Sequence, residues 1–325
     1  MNKPSDNRVN PSKSITISAP ARLHMGFIDM SGALGRHFGS IGVGLNEIST
    51  RIHLRYSDHL TVEGPCAERA KQCLLNLCRK LGVSHSLSLQ IETAIPDHVG
   101  LGSGTQLALA IGVAISHYYA LGLSVREVAA LTDRGARSGI GIAVFEQGGL
   151  VVDGGRGGNT QTPPLLSRIQ FPEDWRFILV YDQRGQGLHG QQELDAFKSL
   201  APFPRARAEQ LSYLLLMQAL PALAEQDFQG FGEVISALQN AVGEHFAPIQ
   251  GGVFTSLAVA EAMQCLQSQG AVAIGQTSWG PTGFCLVAGQ TQAETMLAVL
   301  RRKALQHVEY QIASARNLGA DILTV

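Results

Sequence analysis

The chain has 325 residues, 45% of them apolar and 16% charged, with a formal net charge of −1. That balance excludes a disordered chain and gives no basic excess for nucleic acid, so a compact enzyme-like protein acting on small molecules is expected. The length allows two domains sharing an interface.

The N-terminal "MNKPSDNRVNPSKS" is polar and proline-containing, so residues 1–14 are expected to be disordered. It resembles neither a signal peptide nor a transit helix, and no apolar run reaches membrane-spanning length, so a cytoplasmic protein is expected. Ile15–Ser18 and Arg51–Tyr56 read as strands, with the glycine-rich "MSGALGRHFGSIGVGLNE" as a turn-rich connection. Residues 66–81 carry apolar side chains at helical spacing. "SLSLQIETAI" alternates apolar and polar residues, as a half-exposed strand does. Beyond Gly104 the chain is apolar on nearly every side up to Tyr118 and predicts a buried helix. A capping box, Ser124 to Glu127, opens the next helix, which stops by Gly135, and a strand follows at 149–152.

Glycine, proline and polar residues then concentrate over 154–175, where the domain boundary is placed. The expected division is 15–165 for the first domain and 166–325 for the second. "RFILVY" reads as a buried strand, followed by helices at about 190–199, 206–225, 228–245 and 253–268, strands at 271–275 and 284–288, a helix at 291–306 and a final strand "VEYQIASA". The five cysteines, 66, 73, 78, 265 and 285, form no C-x-x-C pair and read as buried thiols rather than a disulfide or zinc framework.

Between the half-exposed strand and the buried helix lies "GLGSGT", residues Gly100, Leu101, Gly102, Ser103, Gly104 and Thr105. A strand, a glycine loop and a helix N-terminus present backbone N–H groups and the positive end of the helix dipole, a setting suited to phosphate. The nucleotide P-loop is excluded, since no lysine lies between Lys80 and Lys198. The dinucleotide fingerprint requires a third glycine where Thr105 stands. A capped glycine turn without a ligand is the alternative.

Three stretches, "APARLHMGFIDM" (19–30), the loop, and "IGQTSWGPTGFCLV" (274–287), follow the order of motifs in the GHMP kinase superfamily, which the chain resembles. The resemblance implies an α+β fold, with an N-terminal domain containing a left-handed βαβ unit and a ferredoxin-like C-terminal domain. It also exposes departures from the kinases. In "ARSGIGIAVF" (136–145), Gly141 stands where their catalytic aspartate is expected, and Ala130 stands near the place of their magnesium-binding glutamate. Chemistry other than phosphoryl transfer is therefore expected.

"ARLHMGFID", "GLGSGTQLALA", "RSGIGIAVFEQGGLVVDGG" and "GQTSWGPTG" look like one branch, the β-ribofuranosylaminobenzene 5′-phosphate synthases. That resemblance implies a decarboxylating phosphoribosyltransferase acting on 4-aminobenzoate and phosphoribosyl pyrophosphate, toward methanopterin-type carriers. It also implies magnesium and a homodimer. An ATP-dependent small-molecule kinase is the alternative.

The candidate catalytic residues are Arg22, His24, Asp29, Arg137, Ser138 and Arg184, with the loop as the phosphate or pyrophosphate cradle. Arg137 meets phosphate or a benzoate carboxylate, or is a solvated helix-end arginine. Ser278, Trp279, Gly280 and Glu193 are candidate substrate contacts, with His189 a weaker one. Asp153 either binds magnesium or ribose or shapes its turn.

Overall fold

The structure, a computed structural model, describes residues 12–184, 199–278 and 280–325. His189, Glu193 and Trp279, most of the N-terminal segment and nearly all of the helix expected at 190–199 lie outside the described residues. Among the described residues the strands form two sheets, one of eight strands and one of four.

The larger sheet is built on two long antiparallel strands, β1 (Ser14–Asp29) and β2 (Arg36–Tyr56), paired from Ser14 opposite Arg55 to Asp29 opposite Phe38. The turn-rich connection expected between residues 30 and 47 is thus mostly strand. Close packing explains the misleading glycines: a β-carbon on Gly42 would stand 2.6 Å from both the Leu23 carbonyl oxygen and the Ile140 side chain. β3 (Thr61–Glu63) runs parallel to β4 (Leu87–Thr93), and α1 (Ala67–Leu81) connects them.

α2 (Ser103–Tyr118) is buried along nearly its whole length, as its apolar sequence predicts. Ser124 and Glu127 form the expected capping box on α3 (Val125–Leu131). The segment matching the kinase aspartate region enters α4 (Ile140–Gln147), which leads into β5 (Leu150–Asp153). β6 (Arg156–Gly157) and β7 (Leu165–Ile169) complete this part of the sheet.

The smaller sheet contains β8 (Arg176–Asp182), β9 (Val272–Gln276), β10 (Gly283–Val287) and β11 (Val308–Ser314), in the order β11-β8-β10-β9 and antiparallel throughout. α5 (Arg205–Leu214) passes through a π-helical turn, 215–219, into α6 (Leu220–Ala224) and then α7 (Phe228–Gln250). α8 (Leu257–Ser268) starts at a Ser256 cap, and α9 (Gln290–Arg302) lies between β10 and β11.

Alternation along β8 divides its side chains between two cores. Ile178 and Val180 pack with α8 and α9 residues, whereas Phe177 and Leu179 share a cluster with Phe231, Leu238 and Phe246 of α7 and with Leu23 and Met25 of β1. α7 therefore lies between the two sheets.

Strand pairing does not follow a single cut at residue 165. β7 pairs with β5, and the last strand, β12 (Asp321–Thr324), returns to pair with β1. β12 is exposed, so its sequence carries no burial pattern that would reveal its partner.

Candidate active site

The three motifs meet in space. From β1, the backbone N–H of Arg22 donates to the Leu101 carbonyl (3.1 Å), and its guanidinium donates to the Gly100 carbonyl. From the segment after β9, Thr277 Oγ1 donates to the same Gly100 carbonyl (2.8 Å) and accepts from the backbone N–H of His24 (3.2 Å). Thr282 Oγ1 donates to Val99 O (2.8 Å). Gly100 makes this contact possible: its φ is 79°, and a β-carbon would stand 2.7 Å from the Thr277 carbonyl oxygen. The loop is thus held by residues roughly 80 and 180 positions away.

α2 begins within this stretch, at Ser103, with Gly102 as N-cap and no side-chain cap. Its first N–H groups and the dipole end present positive potential. Arg134, which the sequence reading passed over, adds to that potential. Its Nη1 lies 3.5 Å from where a β-carbon of Gly104 would stand, its Nε is buried without a hydrogen-bond partner, and burial lowers its pKa. The one sequence signal for it is "DRGARSG", which carries a second arginine beside Arg137. Arg137 is half-buried, and burial lowers its pKa too. Burial also brings the Arg22 guanidinium down to about 10, leaving it cationic at neutral pH.

His24 is neutral. Burial first, and then the Arg22 charge, holds its imidazole down to about 3. Gly141, in the first turn of α4, faces α2: its carbonyl accepts from Gln106 Nε2 (2.8 Å), and a β-carbon would approach Thr105 Cγ2 to 3.0 Å. A side chain at the place corresponding to the kinase aspartate would crowd Thr105 and touch Gln106.

Other expected site residues do different work. Asp29 accepts from the N–H (2.8 Å) and hydroxyl (2.6 Å) of Ser31, a local turn at the end of β1. Asp153 is 1% exposed and accepts from Ser40 Oγ, Ser138 Oγ (3.3 Å), Gly139 N (2.9 Å) and Gly155 N (2.8 Å). Burial still pushes its pKa up despite these donors. Four donors occupy its oxygens, so it anchors the turn rather than presenting a free metal ligand. Ser138, which also bonds Ser40 (2.7 Å), belongs to this anchor. Arg184 grips Asp182 with Nε and Nη2, both at 3.1 Å, and this pairing is the main reason the carboxyl falls to about 2. Its guanidinium is engaged there, at the end of β8, rather than at the loop. Gly280 packs against Thr255 and Gln276, and Ser278 lines a cavity with His24.

Magnesium needs oxygen ligands, commonly one or two carboxylates together with substrate phosphates. Among the described residues no three His, Cys, Asp or Glu side chains converge. Asp153 is committed to its own donors, and a magnesium ion carried mainly by substrate phosphates would need no such cluster. Among the described residues, no helix is long and apolar enough to cross a membrane.

The GHMP kinases N terminal domain signature matches residues 68–149, and the GHMP kinases C terminal signature matches 219–306. The crystal structure of mevalonate diphosphate decarboxylase from Staphylococcus aureus superposes with a TM-score of 0.68 at 17% identity, covering 96% of this chain and 98% of that one. Fold and loop together define a protein of the GHMP kinase type. Among curated proteins, the beta-ribofuranosylphenol 5′-phosphate synthase of Methanothermobacter thermautotrophicus is 32% identical over 83% of this chain and 88% of its own length. That of Methanocaldococcus jannaschii is 34% identical over 69% and 76%. The chain belongs to the beta-ribofuranosylphenol 5′-phosphate synthase family within the GHMP kinase superfamily.

Proposed function

We propose that this protein transfers the phosphoribosyl group of phosphoribosyl pyrophosphate to the carboxylate-bearing carbon of a para-substituted benzoate, releasing carbon dioxide and pyrophosphate. 4-Aminobenzoate is the acceptor the sequence resemblance implies. The relatives' names give a ribofuranosylphenol as the product, which adds 4-hydroxybenzoate as an acceptor.

The observation that carries this reading is a glycine loop tied to Arg22 and flanked by Arg134, with Gly141 where the kinases carry their aspartate and its β-carbon position crowded by Thr105. Phosphoribosyl pyrophosphate arrives with its leaving group attached, so no base is needed to generate an alkoxide. The C1–O bond breaks with its electron pair going to pyrophosphate, and the α2 N-terminus, Arg22 and Arg134 suit that developing charge. The para substituent's lone pair feeds the ring as the ring carbon bonds to C1. The bond to the carboxylate then breaks, its electrons restore the aromatic ring, and carbon dioxide departs.

The test is to incubate the purified protein with phosphoribosyl pyrophosphate and each acid labelled in its carboxyl group. Labelled carbon dioxide dependent on the pyrophosphate substrate is the expected result. No release from either acid, or substrate-dependent ADP formation from ATP, overturns the reading.

A further inference from the structure

A cavity of about 420 Å³ lies between α1 and the C-terminal end of α3. Cys73, Leu77 and Leu131 give it an apolar floor, and Arg69, Lys80 and Arg134 give it a cationic wall. Lys80 is engaged, donating to the Leu131 carbonyl (2.6 Å) and lying 3.7 Å from Asp133, the one carboxylate of the lining among the described residues. The cavity adjoins the glycine loop through both arginines. Arg134 Nη1 lies 3.5 Å from the β-carbon position of Gly104, and Arg69 Nη2 pairs at 2.8 Å with Asp97, in the chain that leads into the loop.

These two arginines carry more charge than their neighbours balance. The Nε of each is buried without a hydrogen-bond partner, and Asp97 answers only the Arg69 charge. Burial is the main cause that lowers the Arg134 pKa, and the Arg69 charge also lowers it, so the two cations repel each other. Burial raises the Cys73 thiol while both guanidinium charges pull it back, which places the pair on the same stretch of wall. Neighbouring half-buried cations of this kind are an unmet charge that a bound anion balances.

The inference rests on the function proposed above. Phosphoribosyl pyrophosphate is anionic at both ends of its ribose. The pyrophosphate end gains charge as the C1–O bond breaks and suits the α2 N-terminus, whereas the 5-phosphate keeps its charge throughout and needs only fixed cations. A bare pyrophosphate has no C–H groups to lay on Leu77 and Leu131. A ribose 5-phosphate has both the C–H groups and the anion. We propose that Arg69 and Arg134 form a second phosphate seat, which receives the 5-phosphate of phosphoribosyl pyrophosphate while the glycine loop receives the pyrophosphate.

The experiment titrates two half-substrates by calorimetry into the wild type, Arg69→Gln and Arg69→Lys: pyrophosphate, and 1,4-anhydroribitol 5-phosphate, which lacks the C1 oxygen and leaves room for pyrophosphate. Arg69→Gln should weaken the sugar phosphate by about tenfold or more, the scale of a charge-assisted hydrogen bond, and leave pyrophosphate within about twofold. Arg69→Lys, which keeps the charge, should recover part of the loss. Should the Arg69 variants fail to fold, Leu131→Trp fills the cavity without touching a charge and should exclude the sugar phosphate alone. In the wild type the sugar phosphate should still bind when pyrophosphate is saturating. Mutually exclusive binding, sugar-phosphate affinity unchanged in Arg69→Gln or Leu131→Trp, or a loss confined to pyrophosphate overturns the second seat and leaves the proposed reaction standing. Absence of phosphoribosyl pyrophosphate binding together with absence of label release overturns the reaction and this inference with it.

Discussion

Arg134 holds a half-buried positive charge beside the first turn of α2, with its Nε unpartnered. Burial of such a group costs stability, so its presence is better explained by an anion it meets than by packing. Replacing it with glutamine should weaken phosphoribosyl pyrophosphate binding by about one to two orders of magnitude, the scale of a charge-assisted hydrogen bond worth roughly 1.5–3 kcal/mol. The melting temperature should hold or rise, since a desolvation cost is relieved. Titration calorimetry with phosphoribosyl pyrophosphate checks the first expectation and thermal melting the second; unchanged affinity would remove Arg134 from the anion site. Asp153 shows the opposite case, a buried carboxylate fully occupied by nearby donors and hence structural.

The glycine loop between β4 and α2 is held in place from outside by Arg22 of β1 and by Thr277 and Thr282 of the segment joining β9 and β10. Thr277 is the junction, since its hydroxyl connects the His24 N–H to the Gly100 carbonyl. Thr277→Val keeps the shape and deletes the hydroxyl, leaving a buried donor and removing one of the bonds to the Gly100 acceptor. The expected loss is about 1–3 kcal/mol of stability, read from the urea midpoint at unchanged m-value. Affinity for phosphoribosyl pyrophosphate should fall as well, because the loop loses one of the bonds that position it. Full affinity in the folded variant would mean the loop keeps its geometry without this contact.

The whole molecule is joined by a core in which side chains of β1, α7 and the smaller sheet pack together. Leu238, fully buried in α7, lies over Gly26 of β1, so it ties the helix to both sheets. Leu238→Ala should cost about 2–5 kcal/mol. Because the cluster is shared, the two halves should unfold in one transition in both proteins, with far-UV circular dichroism and tryptophan fluorescence coinciding. Separation of the two signals would show halves that fold independently.

Much of this architecture can be read locally. The buried α2, the Ser124–Glu127 capping box, β8 and the loop before α2 follow from side-chain periodicity and cap chemistry within a dozen residues, and the three motifs carry the family. Other features depend on partners distant in the chain. The glycines of β2 read as turns because their neighbours, Leu23 and Ile140, are invisible in sequence. β12 has no burial pattern, and only its pairing with β1 defines it. Likewise Arg22, His24 and Asp29 are equivalent polar interruptions of one apolar run. Folding assigns one to the glycine loop, one to a small cavity and one to a local turn. Local sequence fixes which backbone shapes and charges are available. Which of them become a site depends on the atoms that long-range contacts bring within hydrogen-bond distance, and tertiary structure alone determines those.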